Sequence, residues 1–146
     1  MSFPATQLLL TIGLVCHWPA QALGQSDTAA LAVVRAYMEA YNSHDVDGVV
    51  RMLSPDFTWL SLSGDSVTVE VRGASAVRAS LVQYFRAFPS ARSEIEGATV
   101  LGPWVTVRER AHWQSAAGPR SQAAISVYEV RGGLLRRVWY YPVVKS

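Results

Sequence analysis

Ala40-Tyr41-Asn42-Ser43-His44-Asp45-Val46-Asp47-Gly48-Val49-Val50-Arg51-Met52-Leu53-Ser54-Pro55-Asp56-Phe57 contains the end of one helix, the start of a second and the approach to the first strand. Upstream of it, Leu31, Val34, Tyr37, Met38 and Tyr41 recur at three- and four-residue spacing, with Arg35 and Glu39 on the other face, so a helix runs from about Thr28 to Tyr41. Asn42-Ser43-His44 breaks it. Asp45 is a good N-cap for a shorter helix carrying Val46, Val49, Val50 and Leu53 on one stripe, which ends before Pro55. Capping and turn formation account for His44 and Asp45 without chemistry. The two helices form a hairpin whose apolar faces need a sheet to cover them.

Downstream, the hydrophobic period changes to two. Phe57 to Leu62 is rich in β-formers, Ser63-Gly64-Asp65-Ser66 is a turn, and Val67, Val69 and Val71 alternate with polar residues. Ser75 can cap a third helix that turns Val77, Leu81, Tyr84, Phe85 and Phe88 inward and stops at Pro89. Four more strands follow, at about 93–100, 104–113, 122–130 and 134–141, separated by Gly102-Pro103, Gly118-Pro119 and Gly132-Gly133 turns. Helix, helix, strand, strand, helix and four strands joined by short turns exclude a parallel wound sheet. The expected fold is α+β, with three helices on the concave face of a strongly curved, mostly antiparallel six-stranded sheet. Helices cannot fill the whole of such a face, so an internal cavity is expected.

The chain of 146 residues is one domain long, half apolar and only 16% charged, with a net charge of +2 and its basic residues scattered. That pattern excludes a disordered chain and offers no nucleic-acid footprint. At the N-terminus, Leu8, Leu9, Leu10, Ile12, Leu14 and Val15 form an apolar run too short for a stable bilayer span. With Ala20-Gln21-Ala22 and Ala22-Leu23-Gly24 behind Pro19, the run reads as a signal peptide over 1–24, cleaved near Ala22 or Gly24, although no Lys or Arg precedes it. The expected product is a periplasmic or secreted domain over 27–146 with no membrane span. The only cysteine, Cys16, would leave with the leader, and Val15 before it is too large for lipoprotein processing.

Val33-Val34-Arg35-Ala36-Tyr37, the stretch from Ala40 to Val49 and Leu53-Ser54-Pro55-Asp56-Phe57 resemble the opening of SnoaL-like and ketosteroid-isomerase-like proteins of the nuclear transport factor 2-like superfamily. Val127-Tyr128-Glu129-Val130-Arg131-Gly132-Gly133 with Arg137-Val138-Trp139-Tyr140-Tyr141 is similar to the family's last hairpin. The likeness covers nearly the whole chain after the leader. It implies the cone-like fold but not one function, because that fold hosts isomerases, dehydratases, cyclases, epoxide hydrolases and non-enzymatic modules. Carried over position by position, the isomerase phenol falls on Tyr37, whereas the two acids fall on Ser61 and Ser126. A serine hydroxyl without an activating partner cannot replace a carboxylate base, so the ketosteroid isomerase reaction itself is not expected.

Alternation in the fourth strand puts Val105, Val107, Glu109, Ala111 and Trp113 on one face and Trp104, Thr106, Arg108, Arg110 and His112 on the other. In the family register the apolar set faces the cavity. Glu109 is then an acid among apolar neighbours, able to serve as general acid or base. Alternatively, a bulge turns Glu109 outward to pair with Arg108, Arg110 or Arg120. Tyr37 is the second catalytic candidate, as a hydrogen-bond donor, although it lies on the apolar stripe with Val34 and Tyr41, where core packing is the stronger explanation. His112 points away from Glu109.

Trp59, Ser61, Trp113, Ser126, Tyr128 and Tyr140 share the inward parity and would line an aromatic pocket with a few hydroxyls. It suits a small hydrophobic polyketide-, terpenoid- or steroid-like ligand. Trp104, Val127, Trp139 and Tyr141 on the outer face suggest a homodimer. No cluster has metal-ligand spacing, and no phosphate loop or nucleophile elbow is present, so neither metal nor cofactor is expected. Two readings remain: a small-molecule-binding cavity domain, or a cofactor-independent acid-base enzyme of isomerase, dehydratase or cyclase type.

Overall fold

The computed structural model describes residues 21–145. Most of the expected leader lies outside the described residues, and positions 21–24 fall in the first helix. Three helices, α1 (Gln21–Asn42), α2 (Val46–Arg51) and α3 (Ala74–Ala87), pack on one curved sheet. Its strands are β1 (Leu53–Ser63), β2 (Ser66–Arg72), β3 (Arg92–Leu101), β4 (Trp104–Ser115), β5 (Gly118–Arg131), β6 (Leu134–Tyr140) and β7 (Val144–Lys145). The order across the sheet is β2-β1-β6-β5-β4-β3. The pairing of β1 with β6 is parallel and all others are antiparallel. The seventh strand, β7, was not anticipated. It takes over the edge of β5 at Gln122 and Ala123, beyond the point where β6 ends.

Local chemistry sets the helix boundaries. The Asp45 carboxylate accepts a hydrogen bond from Gly48 N–H at 2.8 Å and caps α2. A Cβ on Gly48 would collide with that carboxylate and crowd the Ala40 side chain. His44 sits in the break at φ 57°, stacks on Phe85 with ring centroids 4.1 Å apart and has its Nε2 3.0 Å from the Ala91 carbonyl. The Asn42 amide grips both backbone groups of Ser93, donating to its carbonyl and accepting from its N–H at 2.7 Å each. These contacts fix the end of α1 on β3.

Several expected boundaries move, α1 already starting at Gln21 and not near Thr28. Leu53 opens β1 instead of ending α2, because it pairs with Leu135 of β6 while Leu135 N–H bonds the Met52 carbonyl. The N-cap of α3 is Gly73 and not Ser75: its φ of 86° makes a bend that glycine tolerates, and its N–H bonds the Phe57 carbonyl at 2.7 Å. The β4–β5 turn lies at Ala116-Ala117, with Gly118 and Pro119 already paired to Ser115 and Gln114.

The core fills one end of the concave face. Val105, Val107, Tyr128, Val130, Leu135 and Val138 meet Ala30 and Val34 of α1, Val49 of α2 and Val77, Leu81 and Phe85 of α3. Fully burying each such aliphatic side chain contributes about 1.5–3 kcal/mol relative to exposure. At the other end the layers part.

Candidate functional site

A cavity of about 560 Å³ opens between α1, α3 and the sheet. α1 contributes Tyr37, Met38 and Tyr41, and α3 contributes Ser80, Leu81 and Tyr84. The sheet supplies Trp59 and Ser61 from β1, Ser93 from β3, Glu109 and Ala111 from β4, Gln122 and Ala124 from β5, and Tyr140 from β6. Tyr141-Pro142-Val143, between β6 and β7, completes the wall. Along β4 and β5 the hollow coincides with Ala111, Gln122 and Ala124, whereas Val105 and Tyr128 fill the same face further along.

Glu109 is 6% exposed, in register with Ala124 of β5 and with Ile95 of β3. The sheet does contain a bulge here, but in β3, between Ile95 and Gly97. The inserted Glu96 takes up the guanidiniums that could have drawn Glu109 outward: Arg110 Nε is 2.6 Å and Arg108 Nε 3.1 Å from its two carboxylate oxygens. Those cations hold the Glu96 carboxyl below its ordinary range, the hydrogen bond from Arg110 being the largest cause.

Burial pushes the Glu109 carboxyl above the ordinary range, and the hydroxyls of Tyr140, Tyr128 and Ser126 pull it partly back. The Tyr128 hydroxyl donates to Glu109 Oε2 at 3.1 Å and lies 3.1 Å from the Tyr140 hydroxyl. The phenols of Tyr37, Tyr128 and Tyr140 are all raised, first by burial and then by the charge of Glu109, so each remains a proton donor. Tyr37 leans on Tyr128 with ring centroids 6.0 Å apart, and Trp59 on Tyr140 at 5.5 Å.

Of the residues singled out in the sequence, Tyr37, Trp59, Ser61, Glu109 and Tyr140 lie on the cavity wall. Tyr128 and Ser126 do not: both are wholly buried behind it, Ser126 across β5–β6 from Tyr140 and Tyr128 in hydrogen bonds to wall residues. Trp113 also lies off the wall, paired with Arg120 where β4 has run past the cavity. His112 is exposed, opposite Ser121. Tyr141, expected on the outer face, reaches the cavity instead, because the chain leaves β6 there before rejoining β5.

Tyr41, Tyr84, Ser93 and Gln122 were not singled out. Gln122 and Ala124 were legible, sharing the parity of Ser126 and Tyr128. Periodicity gives Tyr41 and Tyr84 only as core, since it does not distinguish a filled interior from a hollow one.

Among the described residues, no group of His, Cys, Asp and Glu could hold a metal ion, and no helix is long and apolar enough to cross a membrane.

Comparison with known proteins bears on the family. No curated protein matches the sequence. A cystatin-fold protein from Novosphingobium aromaticivorans, described as uncharacterized, is 26% identical over 76% of this chain and 96% of its own, with a TM-score of 0.64. An LEH-like epoxide hydrolase of M. tuberculosis is 20% identical over 79% of this chain and 83% of its own, at 0.64. PrhC from Penicillium brasilianum is 10% identical over 80% and 81%, at 0.67. The last two share the fold alone. The SnoaL-like domain family matches residues 34–138, which span everything from the core of α1 to the end of the sheet's packed face, and the chain belongs to that family.

Proposed function

We propose that this SnoaL-like domain binds a small, mostly apolar molecule in its cavity and moves a proton on it, with Glu109 as the proton carrier and Tyr37 and Tyr140 as donors to a ligand oxygen. The supporting observation is the placement of Glu109: an acid on the wall of an open cavity, nearly buried and surrounded by phenols. Burial raises its affinity for a proton above that of a solvated carboxylate, the direction that general acid-base work requires. Among the described wall residues Glu109 is the one acid, and no Lys, Arg or His accompanies it, so the lining favours a ligand without negative charge. Aromatic surfaces and scattered hydroxyls suit a flat polyketide-, terpenoid- or steroid-like molecule. The chemistry proposed is of isomerase, dehydratase or cyclase type.

The test is Glu109→Gln. Turnover of a small ketone or hydroxylated polycycle should fall by about 10²–10⁴-fold while affinity changes little. Unchanged turnover removes Glu109 from the chemistry. A second reading, a binding domain without catalysis, is favoured by Ser61 and Ser126 standing where the isomerase resemblance places acids. It predicts a bound ligand recovered unaltered from both forms.

Export and self-association belong to the same proposal. The short apolar run before residue 20 supports secretion to the periplasm or medium, and N-terminal Edman sequencing of the exported protein, expected to start near Ala22 or Gly24, tests it. The outer-face pair Trp104 and Trp139, with centroids 5.7 Å apart and Trp104 36% exposed, supports a homodimer. A monomer by light scattering at micromolar concentration rejects it.

A further inference from the structure

Tyr128 is fully buried and off the cavity wall, yet its hydroxyl lies 3.1 Å from Glu109 Oε2 and 3.1 Å from the Tyr140 hydroxyl, and both of those side chains reach the cavity. A phenol has one proton to donate and lone pairs with which to accept. Placed between two partners and sealed from water, the Tyr128 hydroxyl donates to one and accepts from the other. When Glu109 is ionised it can only accept, so Tyr128 donates to it and Tyr140 donates to Tyr128. Tyr140 then offers the cavity a lone pair. When Glu109 is protonated the chain can run the other way: Glu109 donates to Tyr128, Tyr128 to Tyr140, and the Tyr140 proton points at the ligand.

We propose that Glu109, Tyr128 and Tyr140 form one reversible hydroxyl chain, in which the proton on Glu109 decides whether Tyr140 presents the ligand with a donor or an acceptor. Tyr128 is its positioning residue. The proposal rests on the cavity being the ligand site and adds a ligand rule: an acceptor oxygen, such as a ketone or an epoxide, is matched by protonated Glu109, whereas an enol or phenol is matched by the ionised form.

The Tyr140 O–H bond breaks as its proton reaches the ligand oxygen, Tyr128 passes its own proton to Tyr140, and Glu109 passes its proton to Tyr128. The net result is one proton moved from Glu109 to the ligand, leaving a carboxylate and a chain running in the opposite direction.

The groups facing Glu109 are consistent with this control. They are Tyr140 of β6, whose hydroxyl also acts on the carboxylate directly and more strongly than the others, Tyr128 and Ser126 of β5, and Tyr37 and Tyr41 of α1; the direct action of Tyr140 is the part of its response that persists in Tyr128→Phe. Across β3 its partner is the apolar Ile95. Arg108 and Arg110 bind Glu96 on the opposite side of the sheet.

The test uses the ligand-free full chain with isotope-labelled tyrosine ζ-carbons and glutamate carboxyl carbons, titrated by NMR from about pH 4 to about pH 9. The Tyr140 ζ-carbon should shift with the midpoint of the Glu109 carboxyl, and in Tyr128→Phe the amplitude of that shift should drop at least about two-fold. A Tyr140 resonance that stays flat in the wild type, or follows Glu109 undiminished in Tyr128→Phe, overturns the relay. Should Tyr128→Phe fail to fold, Tyr140→Phe replaces it: the Tyr128 ζ-carbon must still follow Glu109, and a flat response overturns the proposal. For the ligand rule the probes are acetylnaphthalene, which only accepts, and naphthol, which also donates. Acetylnaphthalene affinity should fall as pH rises through the Glu109 midpoint while naphthol affinity holds, and parallel behaviour of the two overturns the rule. Failure of both probes to bind counts against the cavity as a ligand site, and the NMR result judges the relay independently.

Discussion

The concave face of β4 and β5 has a packed end and a hollow end, built on one uninterrupted backbone pairing. At the packed end Val105 is in register with Tyr128 and Val107 with Ser126, and all four are sealed from solvent. Two residues further on, Glu109 pairs with Ala124 and Ala111 with Gln122, and the helices stand off to leave the cavity. Backbone hydrogen bonding continues through both ends and Val107 with Ser126 has about the bulk of Glu109 with Ala124, so the difference lies in how closely the helices approach the sheet. The packed end gains burial and dispersion from contact with three helices, and the hollow end forgoes that contact in exchange for room for a ligand. Fold stability and function are therefore separated along the same two strands.

This separation can be broken most forcefully from the packed side. Leu135 is wholly buried, and Leu135→Ala should destabilise the domain by about 2–5 kcal/mol, read as a lower urea midpoint at unchanged slope. A cost near that of a surface substitution would show that the packed end does not carry the fold.

A paired enlargement sharpens the contrast. Val105→Phe forces extra volume into a filled site and should cost about 1–3 kcal/mol. Ala124→Leu projects into the cavity, so its cost should stay within about 0.5 kcal/mol while probe binding weakens at least about ten-fold. Equal stability losses at the two positions would mean that the hollow end is as filled as the packed end.

The smallest expected effect concerns pH. The folded-state affinity of Glu109 for its proton is raised, chiefly by burial, so the folded chain holds that proton more tightly than the unfolded chain does. The associated stability is fully present below the ordinary glutamate range and is lost as pH rises through the raised folded value. Unfolding free energies followed upward from that range should therefore decline in the wild type and decline less in Glu109→Gln. Parallel pH curves would place the carboxyl in solvent at the hollow end.

Local pattern carried most of the fold. The break at Asn42-Ser43-His44, the Asp45 cap and the alternation along β4 depend on neighbours in sequence, and the structure places each of these elements where that pattern puts it. The misplaced boundaries were those set by distant partners. Leu53 fits an apolar stripe or a strand equally well until Leu135 arrives beside it. Ser75 has the chemistry of a cap, but the bend that starts α3 occurs where Gly73 meets Phe57. Trp113 keeps the parity of Glu109 yet lies beyond the cavity, because parity gives a side of the sheet and not a distance along it.

The sequence alone determined the order of elements, the side of β4 that is apolar and the presence of one acid on that side, since these are properties of residue type and period. Only the tertiary structure decided that the inserted residue lies in β3, that Glu96 holds the two arginines, that Tyr128 bridges Glu109 to Tyr140 and that Tyr141-Pro142-Val143 closes the wall. Each of these joins residues from separate elements, and such a meeting depends on sheet register and curvature, which the whole chain sets together.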